Sequence, residues 1–139
     1  MKASVIIPNL NGKGWLGDSI ESILAQTEQD FELIVVDNGS TDESLEMARR
    51  YRGRPRYTLI ENAENTGFSH AVNQGIRIAQ GEYVALFNND AFAEPDWLEN
   101  LIAAAERLLA LVKTLGGRSN RELRGYTDKI NALIDKINE

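Results

Sequence analysis

Four short runs rich in β-branched and aromatic residues alternate with amphipathic stretches, and this alternation constrains the fold more than any other feature of the chain. The runs are Ala3 to Pro8 (ASVIIP), Phe31 to Asp37 (FELIVVD), Tyr57 to Glu61 (YTLIE) and Tyr83 to Phe87 (YVALF). Between them the spacing predicts helices over Leu16 to Gln26, Asp42 to Tyr51 and Ser69 to Ala79, with Ile20, Ile23 and Leu24 marking one buried stripe. Parallel strands cannot be joined by a tight hairpin, so a helix after each strand points to a parallel sheet with helices on its faces. The expected class is α/β: an open, mainly parallel, Rossmann-like sheet of about four strands flanked by helices. Ser40, three before Glu43, reads as a capping box for the second helix, and Gly81 as the left-handed residue ending the third.

Beyond the fourth run, Pro95 and Asp96 suit the first turn of a helix expected to reach about Leu115. GGRS breaks it, and Ser119 with Glu122 opens a last helix whose Ile130, Leu133, Ile134 and Ile137 share one face. The chain is thus expected to end as a helical hairpin, residues 108–139 forming an extension on a main part of residues 1–107. The apolar face of the last helix could pack on its own chain or pair two chains as a homodimer.

At 139 residues there is chain for one domain and one core. A net charge of −6 argues against broad binding to nucleic acid or anionic lipid. Cysteine is absent and there is one histidine, so a metal would have to sit on oxygen or on His70. With no long apolar run and an N-terminus too short in apolar residues for a signal-peptide core, no membrane segment is expected and the chain reads as cytoplasmic.

In an open parallel sheet, ligands bind beyond the carboxyl ends of the strands where strand order reverses. The segments that follow the four strands are NLNGKG, DNGSTD, ENAENTGF and NNDA. Any one of them could be a plain turn, because Asn, Asp and Gly tolerate positive φ and bond their own backbone. Four together, converging at one end of a sheet, point to a hydrogen-bonding ligand site. Asp37 could accept a donor from a pyrimidine base, with Ser40 left to cap the helix. Asn65 and Gly67 precede a helix whose first N–H groups suit a phosphate. Asp90, beside Asn88 and Asn89, is a lone carboxylate of the kind that holds a hard divalent cation together with diphosphate oxygens and water. Trp15 and Trp97 lie near the loops, with core packing the expectation for both. The spacings of a phosphate loop and of a dinucleotide-binding turn are both absent.

The segments SVIIPNLNG, ESILAQTEQDFELIVVDNGSTDES and ENTGFSHAVNQGIRIAQGEYVALFNNDAFAEPDWLENL resemble the family 2 glycosyltransferases, which have the GT-A fold and use nucleotide-diphosphate sugars. NTGFSHAVNQGI is most similar to the rhamnosyltransferase-type branch. The resemblance covers residues 3 to about 107 and implies a nucleotide-diphosphate sugar, UDP- or dTDP-linked, as the ligand. It implies that Pro8, Asn9 and Asn11 after the first strand hold the nucleoside, with Asp37 on the base and Asn38 beside it. Asn65, Gly67, Asn88 and Asn89 complete the donor site, and Asp90, the last residue of the counterpart to the family's D-x-D motif, would hold Mn²⁺ or Mg²⁺ once nucleotide is bound. Asn88 stands where the family's first acidic residue would be.

From Leu108 onward the motif resemblance stops, and with it the strands that in the family carry the acceptor site and the catalytic base. The catalytic residue is therefore unassigned. Glu94, Asp96, Glu122 and Asp128 are candidates by residue type only, and capping or solvated charge explains each of them. The leading expectation is a donor-binding half of an inverting glycosyltransferase. The alternative is a non-catalytic or engineered α/β scaffold derived from one.

Overall fold

The computed structural model describes residues 1–116 and, beyond them, Lys129, Asn131, Ala132 and Asp135. The elements run β1 (Ala3–Asn9), α1 (Leu16–Leu24), β2 (Phe31–Asp37), α2 (Ser44–Arg49), β3 (Tyr57–Glu61), α3 (Phe68–Ile78), β4 (Tyr83–Leu86) and α4 (Trp97–Leu115). Met1–Asp96 form one compact unit and Trp97–Glu139 a second. In the second unit α4 is a single helix of 19 residues, which starts just after the expected Pro95. The expected capping box at Ser119 and Glu122, and the apolar face at Ile130, Leu133, Ile134 and Ile137, lie outside the described residues.

In the first unit the four strands form one sheet in the order β3-β2-β1-β4, and every pairing is parallel. The sequence pattern explains that order. Every residue of β2 is buried, as its central apolar run from Leu33 to Val36 demands of a strand covered on both faces. β1 is nearly as buried, whereas β3 and β4 are more open and take the two edges. The chain moves from β1 outward to β3 and then returns past β1 to β4, so strand order reverses beside β1. A ligand crevice belongs at the carboxyl end of the sheet at that reversal.

α3 packs on β1 and β2 through a core of Ile6, Ile34, Val36 and Ala71, all buried. Burying such aliphatic side chains contributes about 1.5–3 kcal/mol each, and Ile34→Ala would forfeit about 2–5 kcal/mol. Gly75 is what lets the helix lie so close, since a Cβ there would come within 2.7 Å of Ile6 Cγ2.

Two capping expectations need correction. Gly81 is not left-handed, and α3 is followed instead by Ala79 at φ −58. Glycine is needed at 81 because a Cβ would meet the Ala3 carbonyl carbon at 2.3 Å. Ser40 does not cap α2, which opens at Glu43 without a side-chain cap; its hydroxyl is drawn to the carboxylate of Asp37. Asp42 receives the Ser44 N–H at 2.9 Å in its place. Trp15, expected in the core, is 59% exposed.

Candidate functional site

The sheet register places Asn9, the last residue of β1, directly opposite Asp37, the last of β2. Asn9 donates through Nδ2 to Asp37 Oδ1 at 2.8 Å and to Ser44 Oγ at 2.9 Å, and its own Oδ1 accepts from Asn89 Nδ2 at 2.9 Å. One buried amide thus links the ends of β1 and β2 to the segment after β4. Gly12 keeps that link open, because a Cβ there would lie 2.4 Å from Asn9 Oδ1 and 2.6 Å from Asn89 Nδ2.

Asp37 is 0% exposed. Besides Asn9, its carboxylate accepts the Ser40 hydroxyl at 2.6 Å and the Ser40 N–H at 3.0 Å. It is not among the residues lining the cavity described below, though its partner Asn9 is. Asn11, exposed and left-handed at φ 53, is also not among the residues lining that cavity. It ties the loop after β1 to the loop after β2, donating its N–H to Ser40 Oγ at 3.0 Å and accepting the Thr41 N–H at 2.8 Å.

Asn38 organises the loop between β3 and α3. Its Nδ2 donates to Asn65 Oδ1 at 3.0 Å and to the Gly67 carbonyl at 3.2 Å, while its Oδ1 accepts from Asn62 Nδ2, the Thr66 N–H and the Thr66 hydroxyl. Both ends of the amide are therefore used within the chain. Asn62 is held from behind by Gln74 of α3, each amide donating to the other at 2.7 and 2.8 Å. Gly67, at φ 90, then delivers the chain into α3, a conformation that a side chain would strain.

The segment after β4 is fastened to α1. Ser19 donates to the carbonyls of Asn89 and Ala91, Ser22 Oγ accepts the Ala93 N–H at 3.1 Å, and Gln26, just past the helix end, donates to the Glu94 carbonyl at 2.7 Å. The sequence reading found the apolar stripe of α1 and missed this buried polar one. Its signal was the spacing of Ser19, Ser22 and Gln26, which places all three on one side of the helix.

These loops enclose a cavity of about 480 Å³ at the carboxyl end of the sheet, within the usual size of small-molecule sites. Of the residues singled out from sequence, Pro8, Asn9, Asn38, Asn65, Gly67, Asn88, Asn89 and Asp90 line it together, and Asp37 and Asn11 do not. Leu10, Phe68 and Ala71 also line it and were not anticipated. The wall carries no Lys or Arg, and Asp90 is its one ionisable group. Glu94 and Asp96 are exposed and lie outside the lining, and Glu122 and Asp128 fall outside the described residues.

Among the described residues there is no group of three or more His, Cys, Asp or Glu able to hold a metal by itself. The donors present still suit a hard cation that shares its shell with a ligand. Asp90 offers a carboxylate, and the nitrogen of Asn89 is turned to Asn9, which leaves the oxygen end of that amide for the cavity. No helix among the described residues is long and apolar enough to cross a membrane.

Comparison with known proteins agrees with this architecture. Glycosyltransferase GlyA of Streptococcus pneumoniae serotype 4 is 35% identical over 100 residues, covering 72% of this chain and 14% of that protein. TarS 1–349 of S. aureus, in complex with UDP-GlcNAc, superposes with a TM-score of 0.70 at 27% identity, over 77% of this chain and 32% of that one. Mannosyltransferase PcManGT of Pyrobaculum calidifontis, in complex with GDP-Man and Mn²⁺, gives a TM-score of 0.66 at 31% identity, over 75% of this chain and 31% of that one. The chain spans about a third or less of the length of these proteins. The family model of glycosyl transferase family 2 matches residues 4–137, continuing past Leu108 where the sequence motifs give out, and the chain belongs to that family, with its GT-A fold.

Proposed function

We propose that residues 1–107 bind the nucleotide-diphosphate sugar donor, UDP- or dTDP-linked, of an inverting glycosyl transfer. The observation that carries this reading is the convergence of all four post-strand loops on one cavity at the strand-order reversal. The diphosphate lies at the β4 side, against Asn88, Asn89 and Asp90, and the nucleoside extends over β1 toward Asn38 and Asn65. Asp37 acts on the donor through Asn9, whose amide it holds in place. Binding of UDP-GlcNAc and of GDP-Man by structural neighbours supports a donor of this class.

In the transfer, the acceptor hydroxyl attacks the anomeric carbon as the bond to the diphosphate oxygen breaks, and the hydroxyl proton passes to a base. No residue within the cavity is assigned as that base. The chain's own contribution is to bind and orient the diphosphate so that it departs in line with the attack. Asp90, with the amide oxygens of Asn88 and Asn89, would hold Mn²⁺ or Mg²⁺, whose charge stabilises the departing diphosphate. A wall without Lys or Arg supports that assignment, since no cationic side chain lining the cavity offsets the ligand's negative charge.

The test is calorimetric titration with UDP and dTDP, each with Mn²⁺ and with chelator. Metal-dependent binding that falls at least tenfold in Asp90→Ala is expected. Heat unchanged by chelator and by the substitution would overturn the role of Asp90, and no binding at all would overturn the donor site.

A further inference from the structure

Ser19 is 1% exposed on α1 and does not line the cavity, yet its hydroxyl lies against three backbone carbonyls of the segment that carries Asp90. Those of Ala91 and Asn89 are at 2.5 and 2.8 Å, and that of Asn88 is at 3.4 Å. A hydroxyl has one proton to donate, so a single group draws this cluster of oxygens toward the helix. The Ala91 N–H closes the same stretch onto the Asn88 carbonyl at 3.2 Å, which makes Asn88 to Ala91 a turn with Asn89 and Asp90 at its centre.

Peptide planarity carries the consequence. Every peptide bond among the described residues is trans, and in a trans unit the N–H points opposite to the C=O. With the carbonyls of Asn88 and Asn89 drawn to α1, the N–H groups of Asn89 and Asp90 face away from that helix. Asn88, Asn89 and Asp90 line the cavity and Ser19 does not, so the turn stands between α1 and the cavity and those N–H groups face the cavity. Among the described residues, neither N–H donates a hydrogen bond within the chain. Two successive turn N–H groups left open in this way make a concavity suited to an anion, on a wall that has no Lys or Arg.

We propose that Ser19 is a positioning residue for the donor diphosphate, acting through the turn from Asn88 to Ala91. By holding the carbonyls of that turn, it presents the N–H groups of Asn89 and Asp90 to phosphate oxygens. The proposal rests on the donor-site reading above. The Asp90 carboxylate meets the cation and the N–H groups meet the anion, so one turn serves both partners of the ion pair.

The experiment follows amide hydrogen exchange of the full chain by NMR, with UDP and separately with inorganic pyrophosphate, each with Mg²⁺. The wild type, Ser19→Ala and Ser19→Thr are compared, and affinities are measured alongside. Either ligand should slow exchange at Asn89 and Asp90 in the wild type. Ser19→Ala should lose that protection and weaken both ligands about tenfold, the order expected for a hydrogen bond to a charged group. Ser19→Thr, which keeps the hydroxyl, should restore both. Binding by the wild type without slower exchange at either amide would overturn the positioning role and leave the donor site standing, and this comparison needs no variant to fold. Equal affinity in the wild type and Ser19→Ala would also overturn it, as would an equal loss in Ser19→Thr. Absence of UDP binding by the wild type would overturn both this proposal and the donor-site reading.

Discussion

Asn9 and Asp37 end neighbouring strands as register partners, and the amide of one donates to the carboxylate of the other across 2.8 Å. The contact is fully buried, and it joins the floor of the cavity to the sheet. A buried donor deprived of its acceptor costs about 1–3 kcal/mol, more than the contact contributes when made.

Asp37→Ala would take the acceptor from one N–H of the Asn9 amide and from the Ser40 N–H. The expected result is a loss of about 2–4 kcal/mol in urea unfolding, seen as a lower midpoint at unchanged slope. UDP binding should weaken as well, because Asn9 also holds Asn89.

Asn38→Asp tests the loop between β3 and α3. A carboxylate cannot donate, so it would oppose Asn65 Oδ1 and the Gly67 carbonyl, where the amide nitrogen now bonds both. Faster hydrogen exchange is expected at Thr66 and Gly67, with about 1–3 kcal/mol lost in overall stability. A variant with wild-type exchange at these amides would show that Asn38 does not organise the loop.

Acid should weaken the β3 edge through Glu61. Hydrogen bonding from Arg49 holds its carboxyl below the ordinary value, with further help from the charges of Arg49 and Arg52 against the opposing effect of burial. A carboxylate with a lowered folded pKa contributes its stability in full above its unfolded pKa, about 4.3, and loses it as pH falls through the folded value. Glu61→Gln should therefore lower the melting temperature near neutrality and lose less than the wild type below about pH 4, so the two curves converge in acid. Parallel curves over that range would exclude Glu61 as a contributor.

The sheet was largely legible from sequence because its strands differ in kind from their surroundings. β2 and β3 begin and end at the expected residues, since apolar runs bounded by polar turns leave little choice of register. The helix ends shifted by a residue or two, as fraying ends do. Ser40 was misread because a local rule placed it at a helix start, while the carboxylate of Asp37, three residues before it at the end of β2, offered a stronger partner. Leu10 and Phe68 escaped notice for the opposite reason. An apolar residue beside a strand or at a helix start looks like core until its exposure is known. The cavity's asparagines were found together because the topology brings the ends of parallel strands to one edge, and topology was readable.

The fastening of the Asp90 segment to Ser19, Ser22 and Gln26 has a mechanical consequence. The segment leaves the sheet at β4, yet its stiffness is borrowed from α1, along which it lies like a rail along its sleepers. A displacement of α1 would pull directly on the carboxylate's segment, against the bond from Asn89 to Asn9 at the end of β1. Compliance at Asp90 is thus governed by how firmly a helix on one face of the sheet is seated, and a force applied to that helix has a short path to the cavity.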